Sequence, residues 1–332
     1  MNTATASQAE TATAPPVLIV GSIALDTVQT PFGAVSEALG GAAVYSGVAA
    51  GFFAPVRLVG VVGDDFPADH LARLEARGID LAGVETAAGA TFRWSGYYEY
   101  DMNQAHTVST ALNVFEGFRP TLPESYRDTR YVFLANIDPD LQLAVLDQVP
   151  DARLTAADTM NFWIERKRDR LLEVLKRVDV ILLNEGEARQ LCDTASLAVA
   201  GRRLLELGPK TAVIKKGEHG VVMFARGCHF AAPSYPLEEV KDPTGAGDSF
   251  AGGFVGYLAY TDDPTEENVR KAVVCGSAMA SFGVEDFSLR RLESLTPQAI
   301  MERCGEFRRI TRFEEICDLP EATSTSGRAD HV

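Results

Sequence analysis

The sequence is short of several things, and each shortage removes a class of function. Basic residues are in deficit: 31 Lys and Arg stand against 46 Asp and Glu, for a formal net charge of −15. Nucleic acid and anionic membrane surfaces both need clustered positive charge, so neither is expected as a partner. The five cysteines, Cys192, Cys228, Cys275, Cys304 and Cys317, include no CxxC pair, and the five histidines show no ligand spacing. A structural zinc site or a disulfide framework is therefore not expected. No run approaches the roughly 18 to 20 apolar residues of a membrane span. The opening MNTATASQAETATA has neither a basic nor an apolar region of a signal peptide. A cytoplasmic chain with a disordered tail over residues 1–15 is the expectation. What the acidity leaves open is one anion held locally, because a helix start binds phosphate whatever the global charge.

What is present is a globular composition, 332 residues with 46% hydrophobic residues, enough for one large α/β domain or two modest ones. Short apolar runs recur at Val17 to Val20, Val56 to Val62, Tyr131 to Leu134, Leu154 to Ala157, Val178 to Leu183 and Ala212 to Ile214. Between them, helical periodicity marks about 42–53, 66–77, 140–148, 163–176 and 196–207. Strands alternating with helices predict a doubly wound, mostly parallel sheet with helices on both faces. Two regions break the pattern. Thr91 to Tyr100 and His106 to Val114 alternate aromatic or β-branched with polar residues about Asp101-Met102-Asn103, which reads as a hairpin. With Thr27 to Thr30 it forms either a small sheet standing off the main one as a lid or an extension of the main sheet. From Ala246 the reading is helical, over about 246–260, 265–282 and 296–304, and the closing STSGRADHV has no apolar period.

The densest chemistry lies in Lys241-Asp242-Pro243-Thr244-Gly245-Ala246-Gly247-Asp248, which follows an extended run at Leu237 to Val240 and opens a helix. A Gly-Ala-Gly turn at a helix start leaves backbone N–H groups unpaired, with room for an anion to approach. Asp248 in the first turn does not help bind an anion; a carboxylate there suits a general base for an attacking hydroxyl. The other reading is a first-turn carboxylate favoured by the helix dipole. Ala251, Gly252 and Gly253 let the helix pack closely on a neighbour. Neither a Walker loop nor a GxGxxG fingerprint is present.

The stretch DPTGAGDSFAGG resembles the C-terminal signature of the ribokinase/PfkB family of sugar and nucleoside kinases. Gly21 to Asp26, Gly40-Gly41, Arg57 to Phe66, Asn184 to Glu187 and Ile214 to Phe224 match further family motifs in order. The resemblance implies a single ribokinase-like domain over 16–320, with a lid inserted from about 27–38 and 90–114 and a disordered tail at 321–332. It implies transfer of the γ-phosphate of ATP to a primary hydroxyl, with Asp248 as base and the Gly245, Ala246 and Gly247 amides as anion hole. Asp26, past a strand end, suits paired sugar hydroxyls. Gly40-Gly41 is either a close approach to substrate or a packing pair. Asn184 and Glu187 could hold the water shell of Mg²⁺ or cap a helix. Lys215 faces the nucleotide or belongs to a solvated turn. The family places adenine between the turn at Gly217 and Gly220 and the helices near Ala278, with Thr244 and Gly247 also on the nucleotide side. It places a monovalent cation, K⁺, near Asp242 and Ser288.

One position departs from the family. Tyr45 stands where ribokinase-like members carry a sugar-binding asparagine, so the acceptor, sugar or nucleoside, stays open. Phe92, Trp94 and Tyr98 on one strand face form an apolar wall for a flat group, or else serve the lid's own packing or a homodimer contact. Asp158 to Trp163 (DTMNFW) resembles a segment of the family's sugar kinases. A non-catalytic sugar or nucleotide sensor on the same fold is the alternative.

Overall fold

The computed structural model describes residues 14–314. The disordered ends expected at 1–15 and 321–332 lie outside that range except for residues 14 and 15. Val17–Val20 forms β1, whose four side chains are wholly buried, as an apolar run with both faces covered must be. The chain then enters β2 (Ala24–Thr30) and β3 (Gly33–Gly40), followed by α1 (Ala42–Ala50) and β4 (Val56–Gly63). Next come α2 (Ala68–Ala76), β5 (Ile79–Ala87), β6 (Phe92–Tyr98) and β7 (Ala105–Ala111). Alternation resumes with β8 (Tyr131–Leu134), α3 (Pro139–Leu146), β9 (Leu154–Asp158), α4 (Asn161–Arg166) and α5 (Arg168–Leu175). It continues through β10 (Val180–Asn184), α6 (Glu185–Cys192), α7 (Leu197–Glu206) and β11 (Thr211–Lys215). After β12 (Val221–Ala225) and β13 (Cys228–Ala232) the chain ends in α8 (Ala246–Thr261), α9 (Glu266–Gly283), α10 (Arg290–Glu293) and α11 (Pro297–Thr311). Several helices start on local signals: Asp138 accepts from the Asp140 amide ahead of Pro139, and Thr296 from the Ala299 amide ahead of Pro297.

Nine strands form one sheet in the order β13-β12-β11-β10-β9-β8-β1-β4-β5, all running in one direction except β12, which is antiparallel to β11 and β13. One buried cluster joins Val17, Ile19 and Leu58 to α1, α8 and α9; the other joins Leu18, Val20 and Val132 to α3 and α5 through α7 on the opposite face. The order reverses at β1, between β8 and β4, and open α/β sheets bind ligands in the crevice beyond such a point. Four strands form a separate sheet, β3-β2-β6-β7, so the hairpin makes a lid and does not extend the main sheet.

Helix α8 is held between two neighbours by glycines. A Cβ on Gly252 would come within 2.1 Å of the Ser46 carbonyl oxygen on α1, and one on Gly253 within 3.1 Å of the Cys275 carbonyl oxygen on α9. Backbone therefore packs on backbone, the close approach the small residues predict.

Several elements differ from expectation. The single helix at 163–176 is broken at Lys167, whose ammonium is bonded to Asp138 and Asp140. Leu237 to Val240 is irregular; what fixes the approach to α8 is the Lys241 amide donating to the Val284 carbonyl. Among the described residues no helix is long and apolar enough to cross a membrane.

Candidate active site

Three neighbouring strands end with a polar side chain at the same sheet edge: β9 at Asp158, β10 at Asn184 and β11 at Lys215. Side chains alternate along a strand, so Asp158 shares a face with Leu154 and Ala156, and Lys215 with Val213. All three apolar residues belong to the cluster beneath α1, α8 and α9, which aims Asp158 and Lys215 toward the start of α8. Lys215 Nζ lies 2.7 Å from Asp158 Oδ2, with side chains 17% and 6% exposed. Burial alone would lower the ammonium's pKa, but Asp158 and Glu187 raise it. Asp158 Oδ1 accepts from the Thr159 amide at 2.7 Å.

Gly245 caps α8 in the left-handed region, φ 73°, a conformation open to glycine at little cost. Of the three amides expected in the anion hole, Ala246's is turned back onto the Pro243 carbonyl at 3.1 Å. Those of Gly245 and Gly247 have no backbone partner among the described residues, and Asp248's own amide, which the sequence did not single out, joins them. The Asp248 carboxylate accepts no hydrogen bond there either, while Ser46 Oγ ties its carbonyl to α1 at 3.0 Å. Burial, then Asp158, pushes the Asp248 carboxyl up to about 7, with Lys215 opposing. A carboxylate free of partners and tuned near neutrality can accept a proton.

Tyr45, at the place of the family's asparagine, packs against the start of α8. A Cβ on Gly245 would lie 2.4–2.5 Å from its Cγ, Cδ1 and Cδ2, so the ring packs under the turn. The Tyr45 side chain is buried, and burial with Asp26, Asp242 and Asp248 nearby holds its hydroxyl well above the ordinary pKa.

Asp26 lies across the crevice on β2. A Cβ on Gly40 would sit 2.0 Å from its Oδ2, and Gly41 has φ 97°, so the glycine pair fits around the carboxylate. Burial pushes Asp26 up to about 7; the Gly41 amide opposes, and Asp242 and Asp248 add to the rise. Trp94 pairs with Asp26 in register and its indole N–H donates to Thr107 Oγ1 at 3.1 Å. The aromatic wall is divided. Phe92 stacks on Phe115 at 5.5 Å and so serves the lid's packing, Trp94 lies over Gly96, and the Tyr98 hydroxyl accepts from Thr244 Oγ1 at 3.3 Å.

On the nucleotide side, Asn184 and Glu187 form a complete capping box: each side chain accepts from the other's amide, at 2.7 and 2.8 Å. Glu187 Oε1 and the Asn184 carboxamide N–H₂ remain free among the described residues. Burial, then Asp158, pushes Glu187 up to about 7. A half-dry carboxylate beside other acids fits water-mediated contact to Mg²⁺, which keeps several of its own waters; no cluster of three metal-ligating side chains exists among the described residues. Gly217 and Gly220 have φ 54° and 79° in an exposed turn. Above it, Asn103 at the hairpin tip donates to Glu218 Oε1 at 3.1 Å. Asp242 accepts from the amides of Thr244 (2.9 Å) and Ser288 (3.3 Å), one on each oxygen, clamping the loop before α8. Ala278 is wholly buried in the core, so its methyl has no surface to offer adenine. That expectation is corrected to packing.

Three carboxyl groups raised to about 7, Asp26, Asp248 and Glu187, make stability depend on pH. A raised carboxyl favours the protonated folded state, so its contribution is full below about pH 4 and is lost as pH rises through 7. His70, lowered mainly by burial, works oppositely, but is one group against three. The ligand-free protein is therefore expected to unfold at higher urea at pH 5.5 than at pH 8. Equal midpoints, or the reverse order, would remove these groups from the site's energetics.

Comparison with known proteins shows the family and the fold. The family model of pfkB carbohydrate kinases matches residues 17–293. The chain is 33% identical over 260 residues to a cytidine kinase of Thermococcus kodakarensis, covering 76% of this chain and 92% of that one. The fold is shared with a Burkholderia thailandensis nucleoside kinase solved with inosine (TM-score 0.72, 19% identity, 87% and 97% covered). It is also shared with a putative ribokinase II of E. coli solved with ATP and Mg²⁺ (TM-score 0.71, 20% identity, 89% and 99% covered).

Proposed function

The chain belongs to the pfkB family of carbohydrate kinases, and from that membership we propose that it transfers the terminal phosphoryl group of ATP to a primary hydroxyl of a nucleoside or sugar. The observation that carries this reading is the Asp248 carboxylate: without a hydrogen-bond partner among the described residues, raised to about 7, and in the same turn as the open amides of Gly245 and Gly247. Asp26 pairs with two hydroxyls of the acceptor and orients a third toward Asp248, converting a bimolecular encounter into a positioned one. Asp248 removes the proton as the oxygen attacks. The Gly245, Gly247 and Asp248 amides meet the charge on the transferring group, with Lys215 adding a full positive charge. Asn184 and Glu187 are the residues that would hold the waters of Mg²⁺, which when bound would supply further charge neutralisation.

The likeness to a cytidine kinase favours a nucleoside over a free sugar. ADP formation with MgATP and cytidine, inosine, ribose or ribose 1-phosphate tests this, cytidine being the expected best acceptor. If no acceptor raises ADP formation above the rate without one, the acceptor reading fails. A monovalent cation beside Asp242 and Ser288 belongs to the same proposal, and exchange of K⁺ for tetramethylammonium should lower turnover. The lid's β7 edge is unpaired and exposes Val108, with Tyr97 and Tyr100 nearby, which suits a homodimer through the lid. A monomeric mass by light scattering at assay concentration would exclude it.

A further inference from the structure

We propose that Asp158 is a positioning residue for the transfer step, holding the Lys215 ammonium at the start of α8 where it meets the phosphoryl group in transit. This rests on the kinase reading above. Strands β9 and β11 are not neighbours; β10 lies between them, and strands are spaced about 4.8 Å apart. Lys215 thus reaches across the end of β10 to bond Asp158 at 2.7 Å. That reach carries Nζ to 3.0 Å from the point a Cβ would occupy on Gly247, so the charge stands directly beside one of the open amides.

The placement runs against the helix. A cation near a helix N-terminus meets the positive end of the dipole, which is unfavourable by itself. An ammonium and unpaired amides gathered at one point suit a shared anion; Asp158 is the acid hydrogen-bonded to the ammonium, with Glu187 and Asp248 also near it. Asp158 is better placed to orient than to act as a second base. Its Oδ2 is taken by Lys215 and its Oδ1 by the Thr159 amide, while its carbonyl is fixed by Gln142 Nε2 at 3.0 Å. Both oxygens are committed, and the group is set to orient.

A buried ion pair with a purely structural role is the rival, and a double-mutant cycle separates the two. The four full-length proteins are wild type, Asp158→Asn, Lys215→Met and the double variant, assayed with MgATP and cytidine. Lys215→Met is expected to lower kcat by about 10²- to 10³-fold, the usual loss for a donor to developing charge. Asp158→Asn should lower kcat by about 10-fold or more, with KM for cytidine moving less than about threefold, and Asp158→Glu should recover part of the loss. The double variant should match Lys215→Met within about threefold, because Asp158 then has nothing left to position. A double variant that falls to the product of the two single losses overturns the proposal, as does a kcat for Asp158→Asn within twofold of wild type. The double variant removes both charges of the pair together, and its melting temperature checks that the cycle is measured on folded protein. Calorimetric affinity for Mg-AMP-PNP runs the same cycle without turnover. Absence of any active acceptor would then count against the acceptor reading alone, while additive affinity losses would count against Asp158.

Discussion

Asp248→Asn is expected to lower kcat by about 10³-fold, the middle of the range for loss of a general base, and to leave the protein at least as stable at pH 8. The two halves belong together. The carboxylate accepts no hydrogen bond among the described residues, so the isosteric amide forfeits no fold contact. Its pKa is raised to about 7, so ionisation at pH 8 works against folding, and the neutral amide is spared that penalty. In the wild type, kcat/KM should fall about tenfold per unit below pH 7, since the base must be deprotonated to act. The measurement is the paired one: turnover and urea midpoint on the same preparation. Turnover surviving within about tenfold would remove Asp248 as base, and a large stability loss would mean it has an unseen structural contact.

Gly245→Ala carries the largest expected effect on the fold. The new methyl would arrive 2.4–2.5 Å from three ring atoms of Tyr45, and Tyr45 is buried with no space to retreat. Overpacking of this kind costs about 1–3 kcal/mol, and a left-handed φ at a residue with a Cβ adds roughly 1 kcal/mol. The melting temperature should fall by about 5 to 10 °C at the few degrees per kcal/mol typical of larger domains. Because Gly245 carries one of the open amides, kcat should drop by about 10²-fold in the fraction that folds. Gly217→Ala is the control: its φ is also positive, but its Cβ would meet only the Asn103 side chain at 2.9 Å. If both variants behave alike, the ring beneath Gly245 is not what constrains it.

How much of this was legible in the sequence depends on where the information sat. The four-residue runs of β1 and β8 are wholly buried, so composition alone announces them. Strand β3 is exposed over most of its length and β7 along nearly all of it, leaving no buried face to write a period into the sequence. The hairpin turn marks β7, whereas β3 has no local period of its own and falls within the lid only through the family resemblance. The break at Lys167 is tertiary, drawn by two aspartates about 30 residues upstream. The same holds at the site. Glycines and base at 245–248 are contiguous and could be read as a unit, including their likeness to a family. Asp158 and Lys215 are 57 positions apart, and only the sheet order brings them to one edge. The packing of Tyr45 under Gly245 spans 200 positions and leaves no local signal in the sequence. Asn184 and Glu187 were read both ways from one spacing, and the capping geometry is complete while leaving atoms free for a second task.

The contacts that hold α8 have a mechanical meaning. Gly252 rests on the Ser46 carbonyl and Gly256 on the Ala50 backbone, so along these glycines the helix meets α1 main chain to main chain, while Gly253 faces Met279 and the Cys275 carbonyl on α9. Side chains are the compliant part of a protein interior: they hop between rotamers, whereas main chain pressed on main chain has no such freedom to yield. A helix mounted this way acts as a fixed anvil. The expectation is that its terminal amides and Asp248 keep their aim as ligands bind, with movement confined to the four-stranded sheet.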